Sequence, residues 1–143
     1  MFAKQLTVFI ENRSGRLCEV LNVLKENNTN ILSLSLADTA EFGLLRLIVD
    51  NAPLGKEKLI ENGFSSLLSD VSIIQIAHKA GSLQELLDII DDAKDVNIEY
   101  MYGLSIESMN AYIVMKASDS ARIEQILSDN NIKTLSCEDL KNL

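Results

Sequence analysis

Two short stretches of the chain carry residue types that can grip a small zwitterion. Glu11-Asn12-Arg13-Ser14-Gly15-Arg16-Leu17 leads from an alternating apolar run into a helical one. A glycine in such a turn lets a ligand approach the main chain closely, and the N–H groups opening the next helix lack intrahelical partners and point toward an anion. A carboxylate fits there. The Asn12 amide can donate to that carboxylate and accept from an ammonium, and Asn30, within Asn28-Thr29-Asn30-Ile31, offers a second amide. Two asparagines can hold a zwitterion without burying net protein charge, so this chemistry is that of binding a free amino acid. It asks for no cofactor, metal or general base. Asn12 also suits a plain turn or cap, and Arg13 is by default a solvated loop charge.

The arrangement recurs in His78-Lys79-Ala80-Gly81-Ser82-Leu83, with Gly15 and Gly81 standing 66 positions apart. His78 takes the place of Asn12, and Asn97 that of Asn30 if the second copy carries one extra residue. The candidate ligand residues are therefore Asn12, Arg13, Ser14, Gly15, Arg16, Leu17 and Asn30 in the first copy. In the second they are His78, Ala80, Gly81, Ser82, Leu83 and Asn97. His78 is the only histidine and has no Cys, Asp or Glu at ligand spacing, which argues against a metal; a ligand contact through its imidazole would respond to pH. Lys79 is read as a solvated charge. Tyr100, Met101 and Tyr102 alternate along a strand and are read as packing residues.

The elements that position these residues repeat as well, and a repeat must be sought before any fold is assigned. Leu6 to Ile10 and Ser72 to Ile76 alternate as strands. Leu17, Val20, Leu21 and Leu24 form an i, i+3, i+4, i+7 stripe, which Leu83, Leu86, Leu87 and Ile90 repeat at the same offset. Strand runs follow at Asn30 to Ala37 and Gly43 to Val49, and again at Asn97 to Gly103 and Ala111 to Ala117. The intervening segments, Asp38-Thr39-Ala40-Glu41 and Ser105-Ile106-Glu107-Ser108, suit hairpin loops. Second helices are expected over about Leu54 to Asn62, after Pro53, and over about Ser120 to Asn130, capped by Ser118 or Asp119. Last strands at about Phe64 to Leu68 and Ile132 to Ser136 complete β-α-β-β-α-β twice. The fold class is α+β: two tandem ferredoxin-like units, residues 1–69 and 70–143, each an antiparallel sheet with both helices on one face.

Composition narrows the function. A net charge of −8 in 143 residues, with a pI near 4.6, repels phosphate backbones, so nucleic acid is excluded as a partner. No apolar stretch approaches a membrane span, and the start of the chain lacks a signal-peptide core, so a cytoplasmic location is expected. Cys18 and Cys137 stand apart, outside any C-x-x-C context, and read as reduced thiols. Catalysis lacks a basis. Ser14 has no histidine near it in sequence, and the phosphate loop G-x-V-Q-G-V-x-F-R of small acylphosphatases is absent.

The element from Glu11 to Leu17 resembles E-N-R-P-G-x-L, which opens an ACT domain, the amino-acid-binding regulatory module found at the end of phosphoglycerate dehydrogenases. Asn28-Thr29-Asn30-Ile31 resembles that family's N-x-N-I setting at the second strand. The resemblance implies an allosteric, non-catalytic sensor of a free L-amino acid, with Asn12 and Asn30 as contacts. It also implies that the two asparagines meeting one ligand come from different domains, and that two sheets join side by side through their second strands into one larger sheet, so that Asn30 to Ala37 and Asn97 to Gly103 would meet within a chain or between the chains of a homodimer. Within a chain, Asn12 would then face Asn97 and His78 would face Asn30, a pairing favoured by the high effective concentration of a short tether; between the chains of a homodimer, Asn12 would face Asn30 of the other protomer. Ser14 and Ala80 replace the family's proline, and Ile10 stands where the dehydrogenase domains use histidine, so serine specificity is not implied. The alternative is an ACT-like pair that binds no ligand and serves as a dimerisation or docking subunit of a separate metabolic enzyme.

Overall fold

The structure, a computed structural model, describes residues 2–11, 13–38, 41–104 and 109–142. Two compact units divide near position 69, Lys4–Ser69 and Asp70–Leu143, the latter with the first residues of the chain. Elements follow in the order β1 Ala3–Glu11, α1 Arg16–Glu26, β2 Ile31–Asp38, β3 Phe42–Val49, α2 Ala52–Glu61 and β4 Ser65–Ala77. Then come α3 Ser82–Ala93, β5 Ile98–Leu104, β6 Asn110–Ala117, α4 Ser120–Asp129, β7 Thr134–Leu135 and α5 Cys137–Lys141.

In the first unit the strands lie in the order β2-β3-β1-β4. The antiparallel register places Leu6 opposite Leu47 and Val8 opposite Leu45, so alternate residues of both strands share one face. That face is apolar and covered. Leu6, Val8, Ile10, Leu45, Leu47 and Val49 pack with Val20, Val23 and Leu24 of α1 and Leu59 of α2, which puts both helices on the same side. Burial of such side chains contributes roughly 1.5–3 kcal/mol each. Asn51 caps α2 by accepting from the Leu54 N–H at 3.2 Å, and Pro53 sits in the first turn, where a missing N–H costs nothing.

In the second unit β7, β4, β6 and β5 lie in that order, again antiparallel, with Ile74 opposite Ile113 and Ile73 opposite Leu135. Ile74, Met115 and Ala117 pack with Leu86 and Ile90 of α3 and with Ile123 and Leu127 of α4. The cap of α4 is Asp119, which accepts from the Arg122 N–H at 3.0 Å. Ser118, the other candidate, accepts instead from the Asn97 N–H at 3.0 Å.

Two expectations need correction. The strands expected at Phe64 to Leu68 and Ser72 to Ile76 are one strand, β4, because no glycine, proline or asparagine interrupts Ser65–Ala77. The strand expected over Ile132 to Ser136 shrinks to Thr134–Leu135 and is followed by an unexpected helix, α5. Its cause is a capping box. The Ser136 hydroxyl accepts from the Asp139 N–H at 3.1 Å while the Asp139 carboxylate accepts from the Ser136 N–H at 2.8 Å. Thr39, Ala40 and Ser105 to Ser108 of the expected hairpin loops lie outside the described residues.

Candidate ligand site at the strand-to-helix turns

The two turns leading into α1 and α3 are built alike, hydrogen bond by hydrogen bond. The Arg13 N–H donates to the Glu11 carbonyl at 2.8 Å, and the Lys79 N–H to the Ala77 carbonyl at 3.0 Å. The first helical bonds also correspond, Glu19 N–H to Gly15 carbonyl at 3.0 Å and Glu85 N–H to Gly81 carbonyl at 2.9 Å. Gly15 and Gly81 are the N-caps, at φ 89° and 88°, and neither helix has a side-chain cap. A non-glycine residue in this left-handed region is strained, which explains both glycines without reference to crowding. A Cβ on either would meet nothing within 4 Å, so the turns are open on that side. The Arg16 and Ser82 N–H groups donate to the Arg13 and Lys79 carbonyls at 3.5 and 3.3 Å, and with no side chain on the capping glycines the next N–H groups, of Leu17, Cys18, Leu83 and Gln84, remain for water or an anion.

The side chains around the two turns differ. Asn12 lies outside the described residues. Arg13 pairs with Glu11 at 3.1 Å, both well exposed, as expected of a solvated loop charge. Ser14, Ala80 and His78 are exposed. Arg16 is turned away from the open turn: its guanidinium lies 4.2 Å from the centre of the Phe64 ring and its Nη1 is 2.6 Å from Glu19 Oε2. Leu17 packs against the first core and Leu83 is partly exposed. Ser82, at the position of Arg16, is only 6% exposed, yet its hydroxyl has no hydrogen-bond partner. Such an unmade bond costs roughly 1–3 kcal/mol.

Ser82 borders a groove of about 380 Å³ that runs along α3, with Ile76, Leu86 and Ile132 among its apolar lining and Lys79, Glu85 and Lys133 among its charged residues. Sequence reasoning missed Glu85, Ile132 and Lys133. Only the S-x-x-E spacing of Ser82 and Glu85 hinted that this helix start was special.

Asn30 and Asn97 occupy equivalent places and are held by their main chains. The Asn30 N–H donates to Asp50 Oδ1 at 3.0 Å and its carbonyl accepts from the Asp50 N–H at 3.1 Å. The Asn97 carbonyl accepts from the Ser118 N–H at 2.8 Å. Both side chains are exposed, and Asn30 borders a separate groove of about 370 Å³ with Leu21, Lys25 and Thr29. Within the first unit, Asn30 and the Gly15 turn sit at opposite ends of α1, whose 11 residues span about 16 Å. The structure does not bring them together there, and α3 separates Asn97 from Gly81 likewise. Among the described residues, no group of three or more His, Cys, Asp or Glu is placed to hold a metal ion. No helix among them is long and apolar enough to cross a membrane.

Comparison with known proteins accounts for this architecture. The family model described as ACT domain pair matches residues 1–143. A solved protein of Bacteroides thetaiotaomicron is 36% identical, covering 100% of this chain and 98% of its own, with a TM-score of 0.92. The ligand-free regulatory subunit of aspartate kinase from Thermus thermophilus shares the fold at 13% identity, over 88% of this chain and 90% of that one, with a TM-score of 0.62. A structure of aspartokinase alpha and beta subunits shares it at 10% identity and a TM-score of 0.54, over 90% of this chain and 95% of that one. No curated protein matches the chain. The chain belongs to the family of ACT domain pairs, a regulatory module.

Proposed function

We propose that the protein is a non-catalytic cytoplasmic regulator that binds a free L-amino acid at its strand-to-helix turns. The observation that carries this reading is the repeated open turn: an αL glycine caps each helix, so the cap itself brings no side chain to the first-turn N–H groups that lack main-chain partners. A ligand carboxylate is the natural acceptor for them. Asn12 and His78 are the polar side chains beside that carboxylate, while Asn30 and Asn97 act in the contacts that a homodimer completes. The regulatory subunit of the Thermus thermophilus aspartate kinase shares the fold, in keeping with a regulatory role.

Calorimetry of the full chain against the twenty amino acids tests the reading. One free amino acid should bind, its amide should bind far more weakly, and nucleotides should not bind. At 100 times its Kd the ligand should add roughly 2.7 kcal/mol to stability. Equal binding of acid and amide would remove the carboxylate argument.

A second reading, a docking or dimerisation subunit without ligand, is favoured by Leu34 and Leu36, each 49% exposed on the edge strand β2. Sedimentation with and without amino acids separates the two readings.

A further inference from the structure

The internal repeat makes each unit a control for the other. Arg16 and Ser82 are equivalent, as are Glu19 and Glu85, each in the first turn of its helix. Phe64 and Ile132 are equivalent too: the Phe64 N–H donates to the Leu59 carbonyl at 2.9 Å and the Ile132 N–H to the Leu127 carbonyl at 2.9 Å. In the first unit Arg16 stacks on the buried Phe64 and pairs with Glu19, so the chain's own cation occupies the space beside the helix start. The second unit has a short Ser82 and a smaller Ile132 instead, and there a groove of about 380 Å³ opens beside a carboxylate, Glu85, that lacks the arginine its counterpart has. That volume falls within the roughly 300–1,000 Å³ of small-molecule sites.

We infer that this groove is the side-chain pocket of the second unit and selects a free amino acid with an apolar side chain. The inference rests on the amino-acid reading above and adds to it the class of ligand and the unit that takes it. Ile76, Leu86 and Ile132 receive the apolar side chain, Glu85 faces the ammonium, and Lys79 faces the carboxylate. Charges of both signs around an apolar floor suit a zwitterion better than a simple anion, which would be repelled by Glu85. The first unit, filled by its own Arg16, takes no side chain at the equivalent place.

The test titrates the full chain, carrying isoleucine methyl labels, with L-leucine, L-isoleucine and L-methionine, and with L-serine and L-aspartate for contrast. At least one apolar amino acid should bind, with the largest methyl shifts at Ile76, Ile89 and Ile132. Ser82→Arg with Ile132→Phe, which copies the first unit's filling, should weaken binding at least tenfold. The exposed pair Lys79→Gln and Glu85→Gln should weaken it similarly without touching the core. Binding of an apolar amino acid that neither pair of substitutions alters, or preference for serine or aspartate, would overturn the pocket while leaving amino-acid binding standing. Absence of binding by all twenty amino acids would overturn both.

Discussion

The guanidinium of Arg16 lies 4.2 Å from the centre of the Phe64 ring, joining the start of α1 to the residue that leads into β4. Phe64 is 4% exposed and the Arg16 side chain 15%, so the contact is largely desolvated and outweighs the pairing with the half-exposed Glu19. Arg16→Ala should destabilise the protein by about 1–2 kcal/mol. Arg16→Lys should recover only part of that, because an ammonium lacks the planar stacking face. Urea unfolding measures both. A neutral Arg16→Ala would show that this stack contributes nothing to stability.

Gly15 and Gly81 hold φ near 89° and 88°, and open space surrounds both. Gly15→Ala and Gly81→Ala should therefore each cost about 1–2 kcal/mol through backbone strain alone. Each should also weaken amino-acid binding at its own turn, since relaxing φ re-aims the first-turn N–H groups. Thermal unfolding together with calorimetry checks the pair. Unchanged stability would mean that the turn can relax to a right-handed form.

Asp119 and Asn51 each cap a helix through one side-chain oxygen. Asp119→Ala and Asn51→Ala should each cost about 1 kcal/mol, while Asp119→Asn should be nearly neutral because asparagine caps as well. The midpoint of urea unfolding should move with its slope unchanged.

The carboxyl of Asp139 is held below its ordinary value of 3.8 by the Ser136 backbone N–H first, then by the Ser136 side chain, with Lys133 adding attraction. A carboxyl whose folded value is depressed stabilises the fold above its unfolded value, and loses that contribution as pH falls through the lower folded value. The capping box of α5 should thus persist at pH 5 and open progressively below about 3.8. Amide exchange at Asp139 and Leu140 should quicken over that window. In Asp139→Asn, exchange corrected for its intrinsic pH dependence should show no such step; a step that persists would assign the transition to another group.

Much of the architecture was legible because it is local. The stripes from Leu17 to Leu24 and from Leu83 to Ile90, the alternation of Leu6 to Ile10, Pro53 at the start of α2 and the cap Asp119 before α4 act within a few positions of the chain. The Gly15 and Gly81 turns were legible for the same reason. What escaped was decided by partners or competition. Ser136 and Asp139 have the spacing of a capping box, yet whether such a box outcompetes an extended strand depends on hydrogen bonds formed only in the folded chain.

The sequence by itself determined the repeat, the order of elements and the open turns, since periodicity and a glycine's freedom are properties of short segments. Only the tertiary structure decided which candidate residues are free to meet a ligand. Arg16, adjacent in sequence to the turn, is drawn away by Phe64, a residue remote in sequence. Asn30 is held at the far end of α1 from the Gly15 turn of its own unit. Ser82, a ligand candidate in the sequence, is 6% exposed and borders a groove that the remote Ile132 also lines. Packing between distant segments sets these outcomes, and no spacing along the chain encodes the volume left between two side chains.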